Sequence, residues 1–171
     1  MLAGMGILFI LLVFLRLRQK RSPVYLLGCA VFGLYLLLAV SQVLFPIPLP
    51  EATGGREPAA AILAHVNLVP FNFGRLFESN ATVITEQLLG NILLTLPFGF
   101  GLPFLARVTP RRMLWLALGV GLSTEAAQLA VSLLIGAGYH SIDINDTLLN
   151  AVGVLVGYGL YQGVVKLIRL L

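Results

Sequence analysis

Carboxyl and amide side chains recur at helical spacing within apolar parts of the sequence. Glu125 and Gln128 are three residues apart, and Gln87 and Asn91 are four apart. Residues at these spacings lie on the same face of a helix. The pattern returns in Asp143, Asp146 and Asn150. If the helix that contains Asn150 begins early enough to include Asp143 and Asp146, three helices each carry a polar stripe at a similar depth. We expect these stripes to face one shared cavity.

Three carboxyl groups in one cavity could do chemistry of two kinds. Two of them could act as general acid and base, or they could hold a divalent cation, and the sequence does not choose between these roles. The catalytic candidates are Glu125, Asp143 and Asp146, with no metal or cofactor assigned. Alternatively, the polar groups only join helices, since each such hydrogen bond contributes about 0.6 kcal/mol. That explanation serves equally well for Asn91 or Gln87 alone, but three carboxyl groups favour a functional site.

Glu125 is not expected to be both charged and unpaired, because burial in a membrane disfavours the ionised form. It should either be protonated and donate a hydrogen bond, or pair with a cation. Arg56, Arg75 and His140 are the cations near enough in the expected topology.

The composition indicates that lipid surrounds the elements carrying these residues. Hydrophobic residues make up 58% of the 171 positions and charged residues 11%, whereas soluble domains carry about 25% charged residues. The net charge of +4 does not indicate nucleic-acid binding, because the basic residues stand between apolar runs. Cys29 is the one cysteine, which excludes a disulfide framework or a cysteine zinc site within one chain.

Spanning the hydrocarbon takes about 20 apolar residues in a helix. Four runs approach this length, and a shorter N-terminal run can be extended by snorkelling basic side chains. We predict an all-α integral membrane protein with about five transmembrane helices in one bundle and one domain covering residues 1–171. Gly153 and Gly157 predict close helix packing within this bundle in preference to a dimer seam. The predicted spans are near 1–15, 24–44, 87–105, 113–135 and 148–165.

Lys and Arg indicate the orientation, because they are enriched in cytoplasmic loops. With five spans, all of the 11 basic residues except Arg56 and Arg75 fall on one side. This predicts the N-terminus outside and the C-terminus in the cytoplasm. All seven carboxylates then occupy the outer half, so the cavity should open outward. The connection 46–85 lies above it, and we expect its apolar part, 59–77, to cap the bundle.

Ordered segments between about residues 67 and 158 resemble the VanZ-like family of bacterial membrane proteins. The segments are NLVPF at 67–71, EQLLGN at 86–91 leading into LPFG at 96–99, EAAQ at 125–128, and DINDTLLN at 143–150, followed by two glycines. The resemblance implies a helical membrane domain of a family named for a protein giving low-level resistance to the lipoglycopeptide teicoplanin.

By position, the resemblance also implies a set of polar family residues. They are Asn67, Glu86, Asn91, Glu125, Gln128, Asp143, Asp146 and Asn150. Two positions depart from the family pattern, because His140 stands where many relatives have arginine and Asn145 where an acidic residue is common. A titratable group thus replaces a fixed cation.

We expect a non-catalytic envelope protein of the bacterial plasma membrane that uses these residues, with His140, to bind an amphipathic ligand. The ligand could be a membrane lipid, a lipid-linked wall precursor or a lipoglycopeptide tail. The alternative is an intramembrane enzyme acting on a lipid head group through its carboxylates, and a third possibility is a scaffold for a partner. The sequence contains no GxxxxGK[ST] loop, HExxH or GxSxG motif, which would have indicated a particular enzyme class.

Overall fold

A computed structural model of the chain, described for residues 2–47, 56–72 and 81–171, is built from helices. Within this part of the chain, the only β-type pairing is an isolated parallel bridge between Asn67 and Asp143. The all-α prediction is confirmed. The helices are α1 (Leu2–Leu17), α2 (Pro23–Leu44), α3 (Ala59–Ala64), α4 (Ala81–Leu105), α5 (Pro110–Ile135) and α6 (Ile144–Ile168).

Four helical segments are long and apolar enough to cross a membrane, so the protein is a multi-pass membrane protein. They are Pro23–Leu44, Ile84–Leu105, Pro110–Ile135 and Ile144–Ile168. The remaining long helix, α1, has 16 residues, none of them buried, and is shorter than a usual span. The structure therefore supports four of the five predicted spans, and a fifth span at α1 stays a prediction.

Side-chain caps explain where three of the spans begin, and the first is at α2, where the Ser22 side chain accepts a hydrogen bond from the N–H of Tyr25. The Thr109 side chain accepts a hydrogen bond from the N–H of Arg112 at the start of α5. The Asp143 side chain accepts one from the N–H of Asn145 at the start of α6. Such caps satisfy N–H groups that have no partner within the helix. Because of the Asp143 cap, α6 begins at Ile144, earlier than the predicted span start at 148, and its polar first turn is helical.

The closest packing in the bundle is between α4 and α6. A methyl group added to Gly153 would meet the carbonyl oxygen of Ile92, and one added to Gly157 would meet that of Leu96. Glycine thus allows the two backbones to touch, as small residues do between membrane helices. The pair therefore serves packing within the bundle. The buried core beside it contains Met113, Ala117, Ala151, Val154 and Tyr158.

We expect Gly157→Ala to lower the free energy of unfolding by about 1–3 kcal/mol relative to Gly159→Ala, because overpacking costs this much. The matched control is Gly159, where an added methyl group meets nothing within 4 Å. Both changes raise helix propensity by a similar amount, so their difference isolates the contact with α4. Thermal unfolding in one detergent measures it, and equal stabilities would contradict backbone contact at Gly157.

The segment 56–72, which includes α3, lies against the end of the bundle where α5 ends and α6 begins. The N–H of Glu57 donates to the carbonyl oxygen of Gly136 at 2.7 Å. Asn67 forms the bridge, because its N–H donates to Ile142 and its carbonyl accepts from Ile144, both at 2.9 Å. The sequence predicts that residues 59–77 cap the bundle. Residues 59–72 lie against this end of it, and residues 73–77 lie outside the described residues.

Candidate functional site

A cavity of about 350 Å³ lies between α2, α4, α5, α6 and the loop joining α5 to α6. It is at the end of the bundle where α4 and α6 begin. Of the predicted binding residues, all except Asn67 and Asp143 line it. These lining residues are Glu86, Asn91, Glu125, Gln128, His140, Asp146 and Asn150, together with Gln87 from the same stripe as Asn91.

Glu125 is held by a backbone amide. The side chain is 8% exposed, and its Oε2 accepts a hydrogen bond from the N–H of Asp143 at 2.9 Å. This N–H lies at the N-terminal end of α6, where the helix dipole favours a negative charge. Either a carboxylate or the carbonyl oxygen of a protonated carboxyl group can accept this hydrogen bond, so the two expected alternatives for Glu125, a protonated donor or a cation partner, stay predictions.

Of the three cations proposed as partners of Glu125, the structure describes Arg56 and His140. Arg56 donates from Nη2 to the carbonyl oxygen of Leu134 at 3.2 Å. Arg75 lies outside the described residues. His140 lines the cavity, but its buried Nε2 has no hydrogen-bond partner among the described residues. Burial lowers the pKa of the His140 imidazole, which favours its neutral form over the charged one.

The Asp143 carboxylate joins the start of α6 to the segment 56–72 by hydrogen bonds. Its two carboxylate oxygens accept hydrogen bonds from Asn67 Nδ2, each at 3.0 Å. Its Oδ1 also accepts from the N–H and the Nδ2 of Asn145, each at 2.8 Å. Asn145 is 1% exposed and reaches the segment 56–72, where it accepts from the N–H of Phe71 at 2.7 Å and donates to Asn72 at 3.1 Å. Asp143 and Asn67 thus position neighbouring groups instead of lining the cavity.

Asp146 faces the first turns of α4. Its two carboxylate oxygens lie 3.3 Å from Gln87 Nε2, which donates to them. Asn91 lies one turn further along α4 and donates from Nδ2 to the carbonyl oxygen of Gln87 at 3.1 Å. A carboxylate can accept about four hydrogen bonds, so Asp146 retains acceptor capacity toward the cavity.

Asn150 has an unused acceptor at the buried wall of the cavity. Its Nδ2 donates to Thr124 Oγ1 at 3.2 Å, and its main-chain carbonyl accepts from Thr95 Oγ1 at 2.7 Å. Its Oδ1 is buried and has no partner among the described residues. A buried polar atom without a partner is costly, so this oxygen is a natural point of contact for a donor on a ligand or a water molecule.

An apolar groove of about 280 Å³ adjoins the polar cavity. The two share the wall residues Val43, Leu94 and Thr124. Helix α2 is held at this wall by backbone contacts, since Gln128 Nε2 donates to the carbonyl oxygen of Val43 at 3.1 Å. The groove is formed between α2, α4 and α5 and is lined by residues such as Tyr35, Ala39, Val40, Phe98, Val120 and Ala127.

Sequence patterns missed three polar residues of this site. Thr95 continues the stripe of Gln87 and Asn91 at a spacing of four and could have been included on that basis. Asn145 stands two residues after a capping aspartate, which is a usual position for an Asx turn. Thr124 directly precedes Glu125 and carries no signal of its own.

The arrangement does not include a ready set of metal ligands. Within residues 2–47, 56–72 and 81–171, no group of three or more His, Cys, Asp or Glu side chains is placed to hold a metal ion. The cavity instead presents carboxylate and amide oxygens of Glu86, Glu125, Asp146 and Asn150. These groups can accept hydrogen bonds or attract a positively charged group.

These features define a multi-pass helical membrane protein with a polar cavity at one end of its bundle. A family model described as VanZ/LLP1 matches residues 32–168, and the chain belongs to this family. The match begins within α2 and reaches the end of α6, so it includes every helix that lines the cavity. It confirms the resemblance found in the motifs. Neither a curated protein nor a solved structure matches the chain.

Proposed function

We propose that this VanZ-family protein binds an amphipathic molecule, with the polar part in the cavity and the hydrocarbon chain in the groove. The observation that carries the proposal is the shared wall of Val43, Leu94 and Thr124 between a polar and an apolar space. A ligand crossing this wall would meet acceptor groups on one side and aliphatic and aromatic side chains on the other. That combination matches a lipid or a lipid-linked molecule better than a soluble metabolite.

The polar part of this ligand should donate hydrogen bonds. The cavity is rich in acceptors, among them the carboxylates of Glu125 and Asp146 and the unpaired Oδ1 of Asn150. Sugar hydroxyls and amino groups satisfy such acceptors, whereas a bare phosphate would be repelled by carboxylates. The amino head group of a membrane lipid and the sugar part of a lipid-linked wall precursor have this chemistry, and a lipoglycopeptide is the third candidate. Binding of a lipid-linked wall precursor or of a lipoglycopeptide would connect the cavity with glycopeptide resistance and envelope homeostasis.

We further propose that the cavity faces outward across the bacterial plasma membrane. The start of α2 lies beside the end of α4, because Tyr25 Oη donates to the carbonyl oxygen of Leu105 at 3.3 Å. The basic stretch 16–21 therefore shares one end of the bundle with Arg107 and Arg112. The rule that cytoplasmic loops are basic supports a cytoplasmic position for that end, with α1 as a fifth, short span.

Lipid retention measured by native mass spectrometry tests the binding site. The full chain is purified from bacterial membranes in mild detergent as the wild type and as Glu125→Gln/Asp146→Asn. We expect the double variant to lose co-purifying lipid with an amino or sugar head group by about tenfold or more, because removing a buried charged contact costs about 2–5 kcal/mol. Glutamine can still accept from the N–H of Asp143, so the fold should be retained.

The matched control is Glu57→Gln, which removes a carboxylate from the same end of the protein at an exposed position outside the cavity. It should retain lipid like the wild type. Equal retention in the wild type, the control and the double variant would contradict a binding role for the cavity. Conversion of a labelled envelope lipid to a new product would favour the enzyme alternative, with Glu125 or Asp146 as general acid or base.

A further inference from the structure

A second polar cleft lies at the opposite end of the bundle, where α4 ends, α5 begins and α6 ends. Its volume is about 660 Å³. Arg107 and Arg112, on either side of the start of α5, and Arg169, after α6, line it together with Thr109 and Gln162. The three arginines thus converge on one space, although they are spread over more than 60 positions of the sequence.

No side chain among the described residues neutralises the positive charge of this cleft. No hydrogen bond or ion pair joins the side chains of Arg107, Arg112 or Arg169 to other described residues. The described carboxylates are at Glu57, Glu86, Glu125, Asp143 and Asp146. They belong to the other end of the bundle or to the half of α5 nearest that end. Three guanidinium groups with no carboxylate side chain beside them in the described part of the chain attract an anion.

The cleft also has an apolar and aromatic side that suits attachment to a membrane. Pro103 and Val165 line it beside the arginines, and Tyr161 is held by a T-shaped contact with Phe104 at 4.9 Å between ring centroids. Gln162 Nε2 donates to Tyr158 Oη at 2.7 Å, so this wall is ordered by side-chain contacts. Arginine-lined pockets between membrane helices are suited to phosphate head groups.

We propose that this cleft binds a phosphate oxyanion, of the kind carried by an anionic phospholipid or a free phosphate ester. Guanidinium groups bind phosphate oxygens in pairs, which fixes the orientation of the anion. A phospholipid would place its chains beside Pro103 and Val165, whereas a free phosphate ester would use the arginines alone. The site is separate from the acceptor-rich cavity and has the opposite charge preference.

Titration of the delipidated full chain with phosphatidylglycerol in detergent, followed by native mass spectrometry, tests this proposal. We expect Arg107→Gln/Arg112→Gln/Arg169→Gln to weaken phosphatidylglycerol binding by about tenfold or more. Each basic side chain beside an anionic lipid strengthens binding by several-fold, and the triple variant removes three of them. The matched control is Arg16→Gln/Arg18→Gln/Lys20→Gln. It removes the same charge from the same end of the bundle but outside the cleft, and it should weaken binding by less than about twofold.

Further measurements distinguish a phospholipid from free phosphate as the ligand, and specific binding in the cleft from non-specific electrostatic attraction. Phosphatidylcholine should bind weakly to every variant, and displacement of the bound lipid by inorganic phosphate would assign the cleft to free phosphate as well. Equal weakening in both triple variants would show only diffuse attraction and would overturn the proposal, as would unchanged binding in the cleft variant.

If the triple variant does not fold, Arg112→Gln alone should give a smaller loss in the same direction. Glu125→Gln/Asp146→Asn should bind phosphatidylglycerol like the wild type, which separates this result from the outer cavity.

Discussion

Replacement of Asp143 by alanine should destabilise the protein by about 3–5 kcal/mol. The change removes the cap of α6, which costs about 0.5–2 kcal/mol. It also removes one of the two acceptors of the Asn67 and Asn145 amide groups, which donate to this carboxylate at 2.8–3.0 Å and to the carbonyl oxygen of Asn72 at 3.1 Å. Each unsatisfied buried group costs about 1–3 kcal/mol. Thermal or denaturant-induced unfolding in detergent measures the loss.

Asp143→Asn is the matched variant for this prediction, because asparagine is also a good N-cap and keeps one carbonyl oxygen as an acceptor. Its loss of stability should be clearly smaller than that of the alanine variant. Proteolysis should also cut the segment 56–72 faster in Asp143→Ala, since that segment is joined to α6 through Asn67. Equal stability of the wild type and Asp143→Ala would show that the network contributes nothing.

Filling the apolar groove should abolish binding of chain-bearing ligands. Ala127 lines the groove, and Ala127→Phe would place an aromatic ring in a space of about 280 Å³. We expect retention of the lipid bound by the cavity and groove to fall by about tenfold or more, because forcing a ring into a space that the chain occupies costs about 1–3 kcal/mol. Retention is measured with the full chain by native mass spectrometry, as for the carboxylate variants.

Ala126→Phe is the control for the groove, since Ala126 is the neighbouring residue on the same helix, is exposed, and lies outside the groove lining. It adds the same ring at the same depth and should leave retention unchanged. A soluble sugar or amine that occupies only the polar cavity should bind Ala127→Phe normally. If both phenylalanine variants retain lipid equally, the groove does not hold the chain.

Much of the site could be predicted because it depends on local spacing. The positions of Glu125, Gln128 and Asn91 on helix faces follow from separations of three and four, and these residues line one cavity. The partner of Glu125 could not be predicted in this way, because the N–H of Asp143 is a main-chain group that any residue would supply. Pairing of Asn67 with Asp143 spans 76 positions and depends on the path of the segment 56–72.

The contribution of α2 to the site left little trace in residue type. Two of its contacts use the carbonyl oxygens of Val43 and Leu44, which accept from Gln128 and Tyr139 at 3.1 and 3.3 Å. One side chain of α2, Tyr35, also donates to the carbonyl oxygen of Leu94 at 2.8 Å. Apolar side chains on α2 could equally have faced lipid all round. The number of spans could not be fixed at five from the sequence, because α1 has only 16 residues. An apolar helix of this length is shorter than a usual span and could also lie on the membrane surface.

The backbone contact between α4 and α6 also has a consequence for how this sequence can diverge. Gly99, Gly153 and Gly157 each lie where an added methyl group would strike a main-chain oxygen of the opposite helix. Substitution there would have to be matched by a shift of a whole helix, which a single mutation does not provide. We expect a saturation library to tolerate almost no replacements at these positions. The outward faces of the same helices should accept nearly any apolar side chain, as at Leu93 and Leu160, which expose 61% and 51% of their surface.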